Sequence, residues 1–359
     1  MMTPAQARLA AVRLTTGPLS TPLLVLPVPV LVEATIARAK LALAPDQPSS
    51  AWLKNASDDI SLIELESGSI SINHTIYTDT NTRIPFDDNS FSPSGDDLPL
   101  IPTVFSGLAK DWLALKWNAA NLAARCKATD VFALDGGPGF ARESLHSAVC
   151  SMSAYAAYAA VETNLDAVPL YIFDPDIGKR SFADGALMAS EYSVPACFSQ
   201  DLMESRGAAG MTARPLPTCW LLVGAANSGT PIHNHPMTAA WNTLFSGIKL
   251  WVTLPPGAPP SSLLVGDACP NPDDEDLSAA EWFKYWKVLP EGACVIVQKP
   301  GETVFLPASY WHVVLNVCET TALSCSLYLK RDWEALGEQV AESRDCEGFA
   351  RIWQSESKI

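Results

Sequence analysis

The chain has 359 residues, 48% of them hydrophobic and 18% charged, enough apolar material for a sizeable core and too much for wholesale disorder. Thirty-nine acids against 24 Lys and Arg give a formal charge of −15, a surface that repels phosphate backbones and argues against general nucleic-acid binding. No apolar run reaches the roughly 18 residues needed to span a bilayer; the nearest, residues 18–32, is broken by Pro22, Pro27 and Pro29, so no membrane partner is expected.

In chain order, the first 32 residues carry Arg8 and Arg13 and no acid, a faint leader-like pattern that keeps organelle targeting as an alternative to an ordinary N-terminal segment. The apolar spacing of residues 31–44 predicts an amphipathic helix ending before Pro45. Residues 76–99, dense in Asp, Asn, Pro and Gly, predict a long loop or linker. A boundary there divides the chain into residues 1–97, helical and loop-rich with no assigned function, residues 98–330, and a C-terminal segment, 331–359.

Past the boundary, short apolar runs such as LYIFD, WLLVG, LWVTL, CVIV and HVVLNV alternate with Pro, Gly, Asp and Asn, while helices are expected only over 112–126, 151–163 and 281–288. Many short strands and few helices predict a mostly β antiparallel sandwich or barrel with helices flanking it at both ends. Asp135-Gly-Gly-Pro-Gly139 lacks the Lys and Ser/Thr of a phosphate loop and reads as a hairpin turn. Residues 331–354 return to helical periodicity and could pack on the barrel or form a homodimer face. The nine cysteines are scattered, odd in number and contain no C-x-x-C pair. They are expected to be free thiols filling core space in a reducing compartment, the cytoplasm or nucleus.

Three of the five histidines fall in two strand-like segments, Pro231-Ile-His233-Asn-His235 and Tyr310-Trp-His312-Val-Val. Residues i and i+2 of a strand share a face, so His233 and His235 can address one point, and His312 from a second strand would complete a three-imidazole face suited to a transition metal. Lys249 interrupts the apolar run of residues 247–254, and no acid lies between Glu204 and Asp267. Unless it snorkels at a strand edge, its ammonium is buried and requires an anion from a distant segment or a ligand carboxylate.

The segments SGTPIHNHPMTAAWNTLFSGIKLWVTLPP (228–256) and QKPGETVFLPASYWHVVLN (298–316), with PLYIFD (169–174) upstream, closely resemble the jumonji-C (JmjC) oxygenases, above all their branch of arginine demethylases and lysyl hydroxylases. The resemblance covers residues 98–330. It implies a double-stranded β-helix, the cupin-like jelly roll, which binds Fe(II) and uses 2-oxoglutarate and O2 to hydroxylate or demethylate a protein side chain. It implies His233 and His312 as metal ligands, Thr230 and Lys249 as holders of the distal carboxylate of 2-oxoglutarate, and Asn242 and Ser324 as further co-substrate contacts. By strand alternation Cys325 is then expected to face away from the Ser324 side.

One position departs from the family pattern: His235 stands where the family has Asp or Glu. A neutral imidazole leaves the centre one unit more positive and less selective for a hard ion, so a divalent metal other than iron is an alternative. Asp267 and Asp273 are candidate substitute ligands. Three functions follow: a 2-oxoglutarate oxygenase acting on a protein or peptide, preferably basic given the acidic surface; a pseudo-oxygenase serving as a binding or scaffold module with an altered metal site; or a three-histidine zinc site carrying other chemistry.

Overall fold

A computed structural model of the chain describes residues 28–43, 62–65, 69–72, 75–81, 83–85, 95–135, 148–160, 166–213, 217–235, 238–257, 277–285, 289 and 291–333. Its elements begin with α1 (Val28–Leu43), β1 (Leu62–Leu65), β2 (Ser69–Ile72), β3 (Thr75–Thr78), β4 (Arg83–Pro85), β5 (Thr103–Ser106), α2 (Ala119–Arg125), β6 (Val131–Asp135), β7 (Ala148–Ser151), α3 (Met152–Ala159), β8 (Tyr171–Asp174) and α4 (Gly207–Ala213). They continue with β9 (Cys219–Gly224), β10 (Gly229–His233), β11 (Ala239–Ser246), β12 (Lys249–Leu254), α5 (Ala279–Tyr285), β13 (Cys294–Gln298), β14 (Glu302–Leu306), β15 (Trp311–Asn316) and β16 (Thr320–Leu327).

Local chemistry sets where the helices begin. Helix α1 starts at Val28, earlier than expected, because Pro29 falls in the first turn, where its missing N–H has no helical partner to lose. The helix expected over 112–126 is two pieces, a 3₁₀ turn at Leu113–Lys116 and then α2, because extended Asn118 caps α2 by accepting from Asn121 N. Ser151 ends β7 and caps α3 by accepting from Ala154 N. At α5, Ser278 Oγ accepts from Glu281 N while Glu281 Oε2 accepts from Ser278 N, a reciprocal capping box.

Strands assemble into a nine-stranded sheet of order β4-β5-β14-β11-β16-β9-β8-β6-β7 and a four-stranded sheet of order β10-β15-β12-β13, with β1-β2-β3 a small third sheet. Among the described residues, all pairings are antiparallel except β4 with β5. The two larger sheets form the walls of the jelly roll, in agreement with the mostly β class read from the sequence. Side chains alternate between faces, so Trp241 and Phe305 of the large sheet pack outward against the helices with Trp117 and Phe198, whereas Asn242 and Val304 point into the barrel. The outer face of the small sheet is closed by Trp282 and Phe283 of α5. Strands covered on both sides are largely apolar, as in β12, which is buried at every position and carries only Lys249 and Thr253 among its apolar residues.

The structure corrects two expectations. First, part of residues 76–99 is strand rather than loop. Asp79 accepts from Val297 N at 3.0 Å, Thr80 N donates to Val295 O at 3.0 Å, and Asn81 donates to Pro102 O at 2.8 Å. Residues 79–81 lie between the strands, where Asn81 N donates to Asp79 Oδ1 in a turn, and Asp79 and Thr80 also satisfy the free edge of β13; strand pairing, in β3 and β4, begins upstream of residue 98. Second, Cys219 and Cys325 are a disulfide and not free thiols. They are register partners on β9 and β16 although 106 residues separate them in sequence, a pairing that spacing alone cannot reveal. Cys126, Cys150 and Cys197 are buried free thiols as expected. Residues 136–139 of the expected turn, Asp267, Asp273 and the helical segment expected beyond residue 333 lie outside the described residues. Among the described residues, no helix is long and apolar enough to cross a membrane.

Candidate functional site

Between the two sheets lies a cavity with about 510 Å³ of empty space, part of it open to solvent. The small sheet contributes Thr230, His233, Lys249, Trp251, His312 and Val314, and the large sheet contributes Tyr171, Phe173, Leu222, Asn242 and Ser324 among others. All seven residues singled out in the sequence, Thr230, His233, His235, Asn242, Lys249, His312 and Ser324, line this one space. Cys325, next to Ser324, points the other way into the helix-side core, as alternation requires.

The three imidazoles meet at one end. Each offers a ring nitrogen within 4.8 Å of the others, and the ring centroids are 4.0 Å apart for His233 and His312, 4.8 Å for His233 and His235, and 5.5 Å for His235 and His312. His233 and His312 are register partners on β10 and β15. His235 lies just past the end of β10 rather than within it. Its carbonyl accepts from the backbone N of Ser309, a residue in the left-handed region at φ 67°, which ties the turn before β15 to the end of β10.

Nδ1 of His233 lies 2.7 Å from Pro231 O, and Nδ1 of His312 lies 3.2 Å from Tyr310 O. A carbonyl only accepts, so Nδ1 carries the proton in both rings and Nε2 keeps its lone pair for a metal. Burial holds the His235 pKa down to about 4 and that of His312 well below its ordinary value, so both are neutral near pH 7. Three imidazoles converging on one point fit a divalent transition metal.

Lys249 occupies the other end. It is 1% exposed, and Nζ donates to Tyr171 Oη at 2.9 Å and to Asn316 Oδ1 at 2.8 Å, both neutral acceptors. Burial alone pulls its pKa down to about 7, with no charged group contributing. Gly247 makes this placement possible: at φ 82° it turns β11 into β12, and a Cβ there would lie 2.1 Å from Glu319 O. The sequence reading missed three supporting residues. Tyr171 and Asn316 hold the ammonium, and Gln298 links the walls by accepting from Trp251 Nε1 and donating to Asn242 O, both at 2.9 Å. Neutral residues on strands leave no sequence signal of this kind; only the register brings them together.

Residues 220–326 match the family model described as JmjC domain, hydroxylase. The chain carries a JmjC domain. Its relatives include the bifunctional arginine demethylase and lysyl-hydroxylase psr-1 of Caenorhabditis briggsae, 33% identical over 238 residues, 63% of this chain and 55% of that protein. The protein of the same name in Caenorhabditis elegans is 31% identical over 271 residues, 69% of this chain and 63% of that protein. The arginine-specific demethylase JMJ22 of Arabidopsis thaliana is 34% identical over 170 residues, 44% of this chain and 30% of that protein. The chain thus spans 55% to 63% of the length of the two worm relatives. The JmjC match takes in the three histidines, Lys249 and Asn316, while Tyr171 reaches the same cavity from β8, upstream of the matched span.

Proposed function

We propose that this protein is an Fe(II)- and 2-oxoglutarate-dependent oxygenase that hydroxylates or demethylates a side chain of a protein or peptide. The observation that carries the reading is Lys249: a buried ammonium with only neutral partners, lining the same cavity as three convergent imidazoles. A buried cation of this kind is stabilised by an anion. A dicarboxylate fits the arrangement, one end at the histidines and the far carboxylate on Lys249 and Thr230.

His233, His235 and His312 would hold the metal, which when bound supplies the redox chemistry linking O2, the keto acid and the substrate C–H bond. The chain itself orients and shields. Tyr171 accepts from Lys249, Asn242 is held by Gln298, and Trp251 stacks near His312 at a centroid distance of 6.1 Å and 24°. These contacts fix the co-substrate against two walls and keep that end of the cavity dry. The relatives named as arginine demethylases and lysyl-hydroxylases, together with the −15 formal charge, support a basic protein or peptide as substrate.

The test is conversion of 2-oxoglutarate to succinate under Fe(II), in the wild type and in His235→Asp. Turnover by the wild type is expected. Turnover gained only in His235→Asp would replace the oxygenase reading with that of a catalytically silent binding module. Zinc uptake without any keto-acid binding would remove both.

A further inference from the structure

Asn316 ends β15, is fully buried, and sits at the junction of four segments. Its backbone N donates to Ser228 O and its carbonyl accepts from Asn227 N, both at 2.8 Å. Its side-chain amide is oriented without ambiguity. Ser228 Oγ spends its single proton on Ala225 O at 2.6 Å, so toward Asn316 it can only accept, and Asn316 Nδ2 donates to it at 2.8 Å. Oδ1 must therefore face the opposite way, where it accepts from Lys249 Nζ at 2.8 Å and from Thr320 Oγ1 at 2.9 Å. Gly224 makes room for this amide, since a Cβ there would lie 2.1 Å from Asn316 Nδ2.

We propose that Asn316 is a positioning residue for the dicarboxylate: it aims the Lys249 ammonium into the cavity and, being neutral, leaves that charge uncompensated for the ligand's far carboxylate. The inference rests on the 2-oxoglutarate reading above and adds a residue to it. A carboxylate at this position would orient the ammonium equally well but would neutralise it internally, and the ligand would then have to displace an existing ion pair. An amide orients without neutralising. The other side chain that meets the ammonium is Tyr171 from β8, whose phenol burial keeps in its neutral form, while Gln298 of β13, the register partner of Lys249, is likewise neutral.

The experiment compares wild type, Asn316→Asp and Asn316→Ser, each loaded with Mn(II) under anaerobic conditions and titrated with 2-oxoglutarate by calorimetry from pH 6 to pH 9. The wild type is expected to bind, with affinity falling as pH rises past about 7. Asn316→Asp is expected to bind about tenfold or more weakly, with that fall in affinity abolished, because its carboxylate keeps Lys249 protonated throughout. Asn316→Ser, which mis-aims the ammonium without adding charge, is expected to bind weakly while keeping the wild-type pH profile. A ligand-free readout runs beside these: the ¹³Cε resonance of Lys249 should titrate at higher pH in Asn316→Asp than in the wild type. Wild-type affinity and pH profile in Asn316→Asp, or an unmoved Lys249 titration, overturns the role given to Asn316 and leaves the oxygenase reading standing. A wild type that binds no 2-oxoglutarate overturns both.

Discussion

His233 on β10 stands directly opposite His312 on β15, with ring centroids 4.0 Å apart. Because each Nδ1 is committed to a carbonyl two residues earlier in the chain, the two Nε2 lone pairs are presented by backbone geometry rather than by side-chain freedom. Replacing either residue by Ala should lower divalent-metal affinity by about 100-fold or more, since loss of outer-shell support alone typically costs 10- to 100-fold. Competition with a chromogenic chelator measures this, and unchanged affinity in both variants would move the metal centre elsewhere.

Lys249 makes the site sensitive to pH with a definite sign. Burial lowers its pKa from the ordinary 10.5 to about 7, so between those values the unfolded chain holds more protons than the folded one, and the ligand-free protein should gain stability as pH rises through that window. A dicarboxylate favours the ammonium, so its binding above pH 7 should take up a proton. Calorimetry in two buffers of different ionisation heat measures that uptake. Lys249→Ala should weaken 2-oxoglutarate binding by about 2 to 3 kcal/mol, the size of a buried charge-assisted contact; full retention of affinity would remove Lys249 from the binding site.

The Cys219–Cys325 disulfide closes a loop of 106 residues in the sequence. Reduction, or Cys325→Ser, should lower the free energy of unfolding by up to about 4 kcal/mol, the scale set by the entropy of so long a loop. Urea unfolding with and without reductant measures the difference, and coincident curves would mean that the surrounding core alone holds β9 against β16.

Phe198 lies between two rings, stacked on Trp241 with centroids 5.5 Å apart and on Phe305 at 5.7 Å. These neighbours belong to β11 and β14, the strands that carry Asn242 and Val304 into the cavity. Phe198→Ala should destabilise the fold by about 3 to 5 kcal/mol, the usual range for removing a buried aromatic. Thermal unfolding tests this; a loss below 1 kcal/mol would imply that the strands repack around the space left behind.

The sequence was most informative where residue type and spacing conflict with their surroundings. Three histidines at strand spacing and one lysine in an apolar run stand out because each is expensive to bury without a purpose, and all four line one cavity. Tyr171 and Asn316 do not stand out. A tyrosine and an asparagine on strands are ordinary, and their meaning appears only when register brings them within 2.9 Å of Lys249. Asp79 and Asn81 misled for the opposite reason: besides the turn in which Asn81 N donates to Asp79 Oδ1, their side chains hydrogen-bond the backbone of other segments. The disulfide was hidden because proximity across antiparallel strands has no counterpart in linear distance.

That same disulfide has a further consequence. The three imidazoles, Thr230, Asn242, Lys249, Asn316 and Ser324 all fall between Cys219 and Cys325 in the chain, so every one of them sits inside one covalent ring, with Tyr171 the cavity's ammonium partner outside it. A single protease nick within that ring would open it without releasing a fragment: both pieces stay tethered through sulfur, and the two products part on a gel only after a reductant is added.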